Sequence, residues 1–140
     1  CHKAWFDSQP YSEEKLGDLN RYYHGLHSFL DAGLLVTGGT DGPLSDMNPF
    51  HGMACAVSRK AFDGKTVVNP QECIDVYSAV RMFTANAAYA GYEEQCKGTL
   101  EAGKLADFII LDRDIFQIDP EEISQVAVVR TYLGGESLYN

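Results

Sequence analysis

The stretch LLVTGGTDGPL, residues 34–44, passes from a short apolar run into a glycine-rich loop. Its apolar residues do not alternate with polar ones, which is typical of a parallel strand that helices cover on both faces. We therefore predict a buried parallel strand over residues 34–39. Asp41 follows this strand in T-D-G-P, where a local turn or a chemical role can each explain an aspartate.

A helix is predicted directly before this strand. Asp18 is a suitable N-cap, and Gly33 stands where a left-handed residue ends a helix. Between them, side chains recur at helical spacing on one face, at Leu19, Tyr22, Tyr23, Leu26, Phe29 and Leu30. A helix that leads into a parallel strand is half of a β/α repeat.

Three further helical segments should begin at an Asx-Pro pair, which combines an N-cap with a proline in the first turn. The pairs are Asn48-Pro49, Asn69-Pro70 and Asp119-Pro120. The first helix should run to about Lys60, and in the second Glu72 should complete a capping box. The second helix should break near Thr84 and Asn86, after an apolar face made of Cys73, Val76, Tyr77, Val80 and Phe83.

From Gly98 onwards the pattern predicts a small β unit. Residues 108–111 form an apolar strand, and two later strands should be joined by the hairpin signal Gly134-Gly135. We expect Asp107 to bind backbone amides in the adjoining turn.

The composition excludes several classes of function. Eleven Lys and Arg against 20 Asp and Glu give a net charge of −9, so we expect no binding to nucleic acid or to an anionic membrane. No apolar run is long enough to span a bilayer, and no export signal is in view. The four cysteines form no C-x-x-C pair, and we expect buried free thiols at Cys55 and Cys73 in a cytoplasmic protein.

A single parallel strand cannot make a sheet, because its neighbours must be reached by crossovers of a dozen residues or more. Residues 1–96 offer one such strand and several helices. We therefore expect this α/β chain to be the C-terminal piece of a longer protein that supplies the neighbouring strands.

Five segments together carry a family resemblance: T-D-G-P at residues 40–43, D-x-N-P at 46–49, T-A-N-A-A at 84–88, GTLEAGKLADF at 98–108 and VRTYLGGESLY at 129–139. From about Leu19 to Tyr139 the chain resembles the C-terminal third of a metal-dependent amidohydrolase. The similar branch includes N-substituted formamide deformylase and proteins labelled exoenzyme regulatory. The segment at 98–108 is the most specific part of the match.

The resemblance implies a fold and an organisation. Residues 1–97 would be the last β/α elements of a TIM-type barrel, with residues 34–39 as its last strand. Residues 98–140 would be the C-terminal strands of a small β-sandwich built from both ends of the longer chain.

The resemblance also implies that Asp41 is both a catalytic residue and a metal ligand, which moves a proton between the attacking water and the leaving amine. Independent chemistry agrees, since active sites of parallel barrels lie at the carboxyl ends of the strands. A carboxylate beside a divalent cation stays ionised and can accept a proton. Gly39 and Gly42 would let the backbone approach metal and substrate closely.

The family's other ligands, histidines and a bridging Lys or Glu that follow earlier strands, are missing from this sequence. His2, His24, His27 and His51 do not fall at strand ends. His24 and His27 could share a metal at their i, i+3 spacing, but a surface or packing role suits them better, because a third ligand is lacking. His51 could touch substrate near the mouth of the site, and we expect a structural role for Arg59 at a helix end.

The leading hypothesis is a metal-dependent hydrolase of C–N bonds in small amides, acting through metal-activated water. The longer protein would hold a divalent metal, zinc in the first place, and the chain alone should hold none and be inactive. The alternative is a non-catalytic regulatory or interaction domain that keeps the amidohydrolase scaffold. The chain alone should self-associate through the apolar surface left by the missing strands. The sequence identifies neither the substrate nor the residues that bind it.

Overall fold

The computed structural model describes residues 14–43, 46–61 and 64–138. The helices bounded within these ranges are α1 (Leu26–Asp31), α2 (Pro49–Ser58), α3 (Val76–Phe83) and α4 (Ala85–Ala90). The strands are β1 (Phe108–Leu111), β2 (Val128–Leu133) and β3 (Glu136–Ser137). Short 3-10 helices span Gly17–Tyr22, Pro70–Glu72 and Pro120–Gln125. The result is a small α/β arrangement with one three-stranded antiparallel sheet.

Helix α2 lies at the centre of the core. It starts where the sequence predicts, because the Asn48 side chain accepts a hydrogen bond from the backbone N–H of Phe50 at 3.0 Å, and Pro49 has no N–H that would lack an acceptor there. Six of its ten residues are buried, including Phe50 and Met53, which are 4% and 6% exposed. Arg59 follows in a left-handed conformation, with φ of 54°, and ends the helix.

The core continues from α2 into the second half of the chain. Ile115, Ile123 and Val126 belong to the same buried cluster as Phe50 and Met53. The 3-10 helix Pro120–Gln125 packs directly on α2 and starts at the predicted Asp119 cap, whose side chain accepts from Glu121 N at 2.9 Å.

The domain boundary between residues 97 and 98 stays a prediction.

The predicted continuous helix from Asp18 to Gly33 is wrong. The structure has a 3-10 helix, Gly17–Tyr22, and then the separate helix α1. The break is at His24, which has φ of 51° and whose carbonyl oxygen accepts a hydrogen bond from Arg59 Nη1 at 3.2 Å. A long-range contact therefore overrides the local helical pattern. The end of the helix is as predicted, with Gly33 at φ of 75°.

The helix predicted from Asn69-Pro70 is also wrong at its start. Asn69 adopts a left-handed conformation and its side chain caps nothing, so only the short 3-10 helix Pro70–Glu72 follows. Helix α3 begins later, at the N-cap Asp75, whose carboxylate accepts from Ser78 N at 2.8 Å. Cys73 lies outside this helix and is only half-buried, whereas Cys55 is buried as predicted.

The break between α3 and α4 is confirmed. Thr84 has φ of −126° and ψ of −95°, which no α-helix accommodates, and α4 starts at the next residue. The Thr84 hydroxyl donates to Val80 O at 2.8 Å, so the hydroxyl satisfies one of the carbonyl groups near the end of α3.

The sheet is also confirmed. Strands β1 and β2 pair antiparallel with Phe108 opposite Tyr132, whose rings stack at 4.5 Å, and β3 completes the order β1-β2-β3. Gly134 and Gly135, with φ of 59° and 85°, form the two-residue turn between β2 and β3. Asp107 does bind a backbone amide, but that of Gly134 in this turn at 2.7 Å.

Among the described residues, no helix is both long and apolar enough to pass through a lipid bilayer.

Candidate functional site

Residues 34–40 lie outside every helix and every sheet of the described chain. The strand predicted here therefore has no strand partner among residues 14–43, 46–61 and 64–138. Leu34 and Leu35 are each 55% exposed, so the apolar run is not buried within this chain. Both facts agree with a segment whose neighbours come from elsewhere, and the barrel strand stays a prediction.

Two hydrogen bonds attach this segment to the junction of α3 and α4. The side-chain amide of Asn86 donates to the backbone oxygen of Val36 at 2.9 Å. Two residues later, the backbone N–H of Gly38 donates to the oxygen of Met82 at 2.9 Å. The segment is thus held by the helices that follow it in the chain.

Gly38 makes the closest approach in this contact. A Cβ atom at this position would lie 2.4 Å from Phe83 Cε2 and 2.5 Å from Phe83 Cζ, so only glycine fits without movement of the ring. Gly39, by contrast, faces open space. The sequence does indicate a close contact here, since a glycine inside a strand often marks a place where another group approaches the backbone. It does not indicate whether Gly38 or Gly39 makes this contact.

Asp41 follows in an exposed position with φ of 55°. Aspartate tolerates this left-handed conformation better than most residues, so the local turn explains part of its presence. The catalytic and metal-binding roles of Asp41 stay predictions.

Of the four histidines, His2 lies outside the described residues, and the other three have separate neighbours. His27 lies 3.3 Å from Asp31 within α1, and the ring of His24 packs edge-on against Tyr23 at 4.6 Å. His51, in the first turn of α2, lies 3.1 Å from the carboxylate of Asp46. Since His24 and His27 each have a separate neighbour, the geometry favours the surface and packing roles over a shared metal.

The donor groups of the chain do not form a metal centre by themselves. Within the described ranges, no three His, Cys, Asp or Glu side chains come together in a group that could hold a metal ion. Zinc takes three or four protein ligands. A single exposed carboxylate at Asp41 is therefore at most one member of a ligand set.

Arg59 and Glu72 are two buried charged residues whose hydrogen bonds hold the chain that precedes residues 34–40. The Arg59 side chain is fully buried and donates from Nε to Val68 O at 2.9 Å as well as to His24 O. Burial lowers the pKa of Arg59 below its ordinary value, and the nearby Cys73 and Glu72 act in the opposite direction. A structural role for Arg59, as predicted, fits these contacts.

Glu72 is the second of these buried charged residues and is 4% exposed. Its carboxylate accepts from the hydroxyl and from the backbone N–H of Ser28 in α1. Burial by itself would raise the pKa of Glu72, but the hydrogen bonds from Ser28 and the charge of Arg59 outweigh it and hold the pKa below its ordinary value.

An open cleft of about 230 Å³ lies between α2 and the 3-10 helix Pro120–Gln125. His51, Ser58 and Lys60 line one side, and Lys60 contacts Glu121 across it. Asp41 does not line this cleft, so the cleft and the predicted catalytic residue are separate features.

The sequence of the chain is similar to those of two longer curated proteins. The chain is 30% identical to the protein YtcJ of Bacillus subtilis (strain 168) over 133 residues, which are 93% of this chain and 25% of that protein. It is 35% identical over 114 residues to N-substituted formamide deformylase of Arthrobacter pascens, covering 81% of this chain and 21% of the enzyme. The chain thus spans about a quarter of the length of the curated relatives it matches.

The solved structures agree. A metal-dependent hydrolase from Pyrococcus furiosus, described as uncharacterized, superposes with a TM-score of 0.69 at 25% identity, over 84% of this chain and 24% of its own. An amidohydrolase from Thermotoga maritima MSB8 superposes with a TM-score of 0.59 at 18% identity, which supports the fold alone. The sequence pattern of the amidohydrolase family matches residues 10–139, and the chain therefore belongs to the amidohydrolase family.

Proposed function

We propose that this chain is the C-terminal part of a metal-dependent hydrolase that cleaves C–N bonds of small amides. Family membership supports hydrolysis, and the similarity to N-substituted formamide deformylase favours amides, N-substituted formamides among them. In this proposal residues 1–97 complete a TIM-type barrel and residues 98–140 contribute strands to a β-sandwich. The free thiols of Cys55, Cys73 and Cys96 favour the reducing cytoplasm as the location.

The observation that carries the proposal is the setting of Asp41. It follows a segment that lacks strand partners in the described chain, exposes two leucines and is fastened from one side by α3 and α4. In a parallel barrel the carboxyl end of such a strand opens into the active site. An exposed carboxylate there can take up a proton from a nucleophile and return it to a leaving amine.

A divalent cation, zinc in the first place, would polarise the amide carbonyl and acidify a water molecule. The described residues do not hold such an ion without further ligands. This chain would contribute the carboxylate of Asp41, and the remaining ligands would come from outside the described residues. The chain alone should therefore neither bind the metal tightly nor hydrolyse amides.

The test is Asp41→Asn in the longest natural protein that contains this chain, with N-substituted formamides as substrates. We expect kcat to fall by about 100-fold or more, the usual contribution of a general acid–base, with a loss of bound metal measured by mass spectrometry. Asp46→Asn is the matched control, since Asp46 is an exposed carboxylate nearby in the sequence that contacts His51. Unchanged hydrolysis and metal content in Asp41→Asn would overturn the proposal. Absence of both from the unsubstituted protein would favour the regulatory or interaction domain.

A further inference from the structure

We propose that Asn86 is a positioning residue for Asp41, acting through the backbone of residues 36–38. The inference rests on the proposed function, because it assigns Asn86 a part in placing the catalytic carboxylate. It uses a side chain outside the segment that carries the chemistry.

The hydrogen bond from Asn86 to Val36 has only one chemically possible sense. A backbone carbonyl oxygen can only accept, so the amide nitrogen of Asn86 must face it, at 2.9 Å. Asn86 is 5% exposed and sits in the first turn of α4, so its own position is fixed by the surrounding core. Removal of the amide would leave the partly buried carbonyl oxygen of Val36 without this donor, which costs stability.

A second hydrogen bond holds the same stretch of backbone, at Gly38. The N–H of Gly38 reaches Met82 O, a carbonyl near the end of α3 that the helix leaves available because it stops at Phe83. The break at Thr84 makes both contacts possible. It ends α3 so that Met82 O is accessible, and it redirects the chain so that Asn86 points its amide at Val36.

Close packing restricts the same stretch from the side. The ring of Phe83 leaves no room for a Cβ atom at Gly38. Asp41 is three residues beyond Gly38, a span of about 10 Å at most. We expect a shift of the Val36–Gly38 stretch to displace Asp41 as well, because the chain between them is short, and a displacement of about 1 Å at a reacting group can cost about 100-fold in rate.

The buried oxygen of Asn86 adds a further observation. Oδ1 has no hydrogen-bond partner among residues 14–43, 46–61 and 64–138. An apolar side chain would avoid the cost of a buried, unpaired acceptor. The presence of an amide here is explained by its donor function towards Val36.

The first experiment uses the longest natural protein that contains this chain and measures amide hydrogen exchange by mass spectrometry with residue-level fragmentation. In Asn86→Ala and Asn86→Asp we expect exchange at Gly38 to quicken by about tenfold, the effect of one hydrogen bond, while the core amides of α2 keep their rates. A purely structural role would move all core amides together. Unchanged exchange at Gly38 would overturn the inference without any reference to catalysis.

The second experiment uses the longest protein that contains the chain. Asn86→Ala should lower kcat by about tenfold to 100-fold per folded molecule, with KM changed less than twofold and with weaker binding of added Zn²⁺. Asp119→Ala, which removes a cap distant in the chain, is the control for stability loss and should leave kcat per folded molecule unchanged. If Asp41→Asn abolishes hydrolysis while Asn86→Ala has wild-type kcat and zinc affinity, the inference fails and the proposed function stands. If Asp41→Asn has no effect, the proposed function itself fails.

A third set of variants keeps the inference testable if Asn86 variants fold poorly. Gly38→Ala should disturb the same stretch by its contact with Phe83, and Phe83→Leu should restore room for the added methyl group. We expect the double variant to recover at least half of the kcat lost in Gly38→Ala. No recovery would show that the packing of this stretch does not control Asp41.

Discussion

The carboxylate of Glu72 accepts two hydrogen bonds from Ser28, at 2.9 Å from the backbone nitrogen and 2.5 Å from the hydroxyl, although 44 residues separate the two in sequence. Ser28 lies in the first turn of α1, where backbone N–H groups have no partner within the helix. Glu72 therefore caps α1 from a distant part of the chain. Because α1 leads directly to residues 34–41, this contact also restrains the start of the candidate site.

Glu72→Gln should destabilise the chain by about 1–2 kcal/mol, because hydrogen bonds to a charged acceptor contribute more than neutral ones. The amide oxygen of Gln can accept only one of the two hydrogen bonds from Ser28. Its NH2 group then faces the other Ser28 donor and cannot accept from it. Equilibrium unfolding in urea measures the loss. Ser28→Ala removes only the hydroxyl bond, and the double variant should lose less than the sum of the two single losses. Full additivity would contradict a direct interaction.

The depressed pKa of Glu72 predicts a direction for the pH dependence of stability. The folded form binds a proton less readily than the unfolded chain, whose ordinary pKa for this group is 4.5. Its contribution is therefore complete above that value and is lost as the pH falls through the lower folded pKa. Urea unfolding between pH 7 and pH 3 should show a smaller loss of stability in Glu72→Gln than in the unsubstituted chain. Equal slopes for both proteins would be incompatible with the depressed pKa.

Arg59 offers a test that separates backbone strain from side-chain contacts. Arg59→Gly relieves a positive φ but removes the guanidinium that joins Val68 O and His24 O, so we expect a net loss of about 2 kcal/mol. Tyr92→Gly is the matched control, since Tyr92 has φ of 58° and is 93% exposed. That change should be neutral or stabilising by up to about 1 kcal/mol. Thermal unfolding compares the two, and similar effects in both would mean that the Arg59 contacts contribute nothing.

The sequence predicts those elements whose determinants are local. The cap at Asn48, the strand Phe108–Leu111 and the turn at Gly134-Gly135 each depend on residues within a few positions of one another, and the structure confirms all three. The cap at Asp119 is also confirmed and also depends on a residue nearby in the sequence, Glu121.

The errors arise where a distant residue decides the local conformation. The predicted helix breaks at His24, where Arg59 binds the carbonyl oxygen. The carboxylate of Glu72 accepts a hydrogen bond from Ser28 instead of capping the helix that was predicted to start at Asn69. Neither pairing has a signal in the spacing of residues along the chain. The same holds for the candidate site. The sequence motif T-D-G-P points to Asp41, but the hydrogen bond from Asn86 to Val36 joins residues 50 positions apart and has no local pattern.

The exposed apolar run gives the last prediction, which concerns association of the chain alone. Leu34 and Leu35 are each 55% exposed in a segment that lies in no sheet of the described chain, a combination that favours self-association. Sedimentation velocity should show species larger than a monomer that grow with protein concentration. Leu34→Lys combined with Leu35→Lys should shift the chain to a monomer, because the added charges disfavour burial of the segment. Leu100→Lys is the matched control at another exposed leucine, 74% accessible, and should leave association unchanged. A monomer at every concentration, or equal effects of the two substitutions, would show that residues 34–40 are not the associating surface.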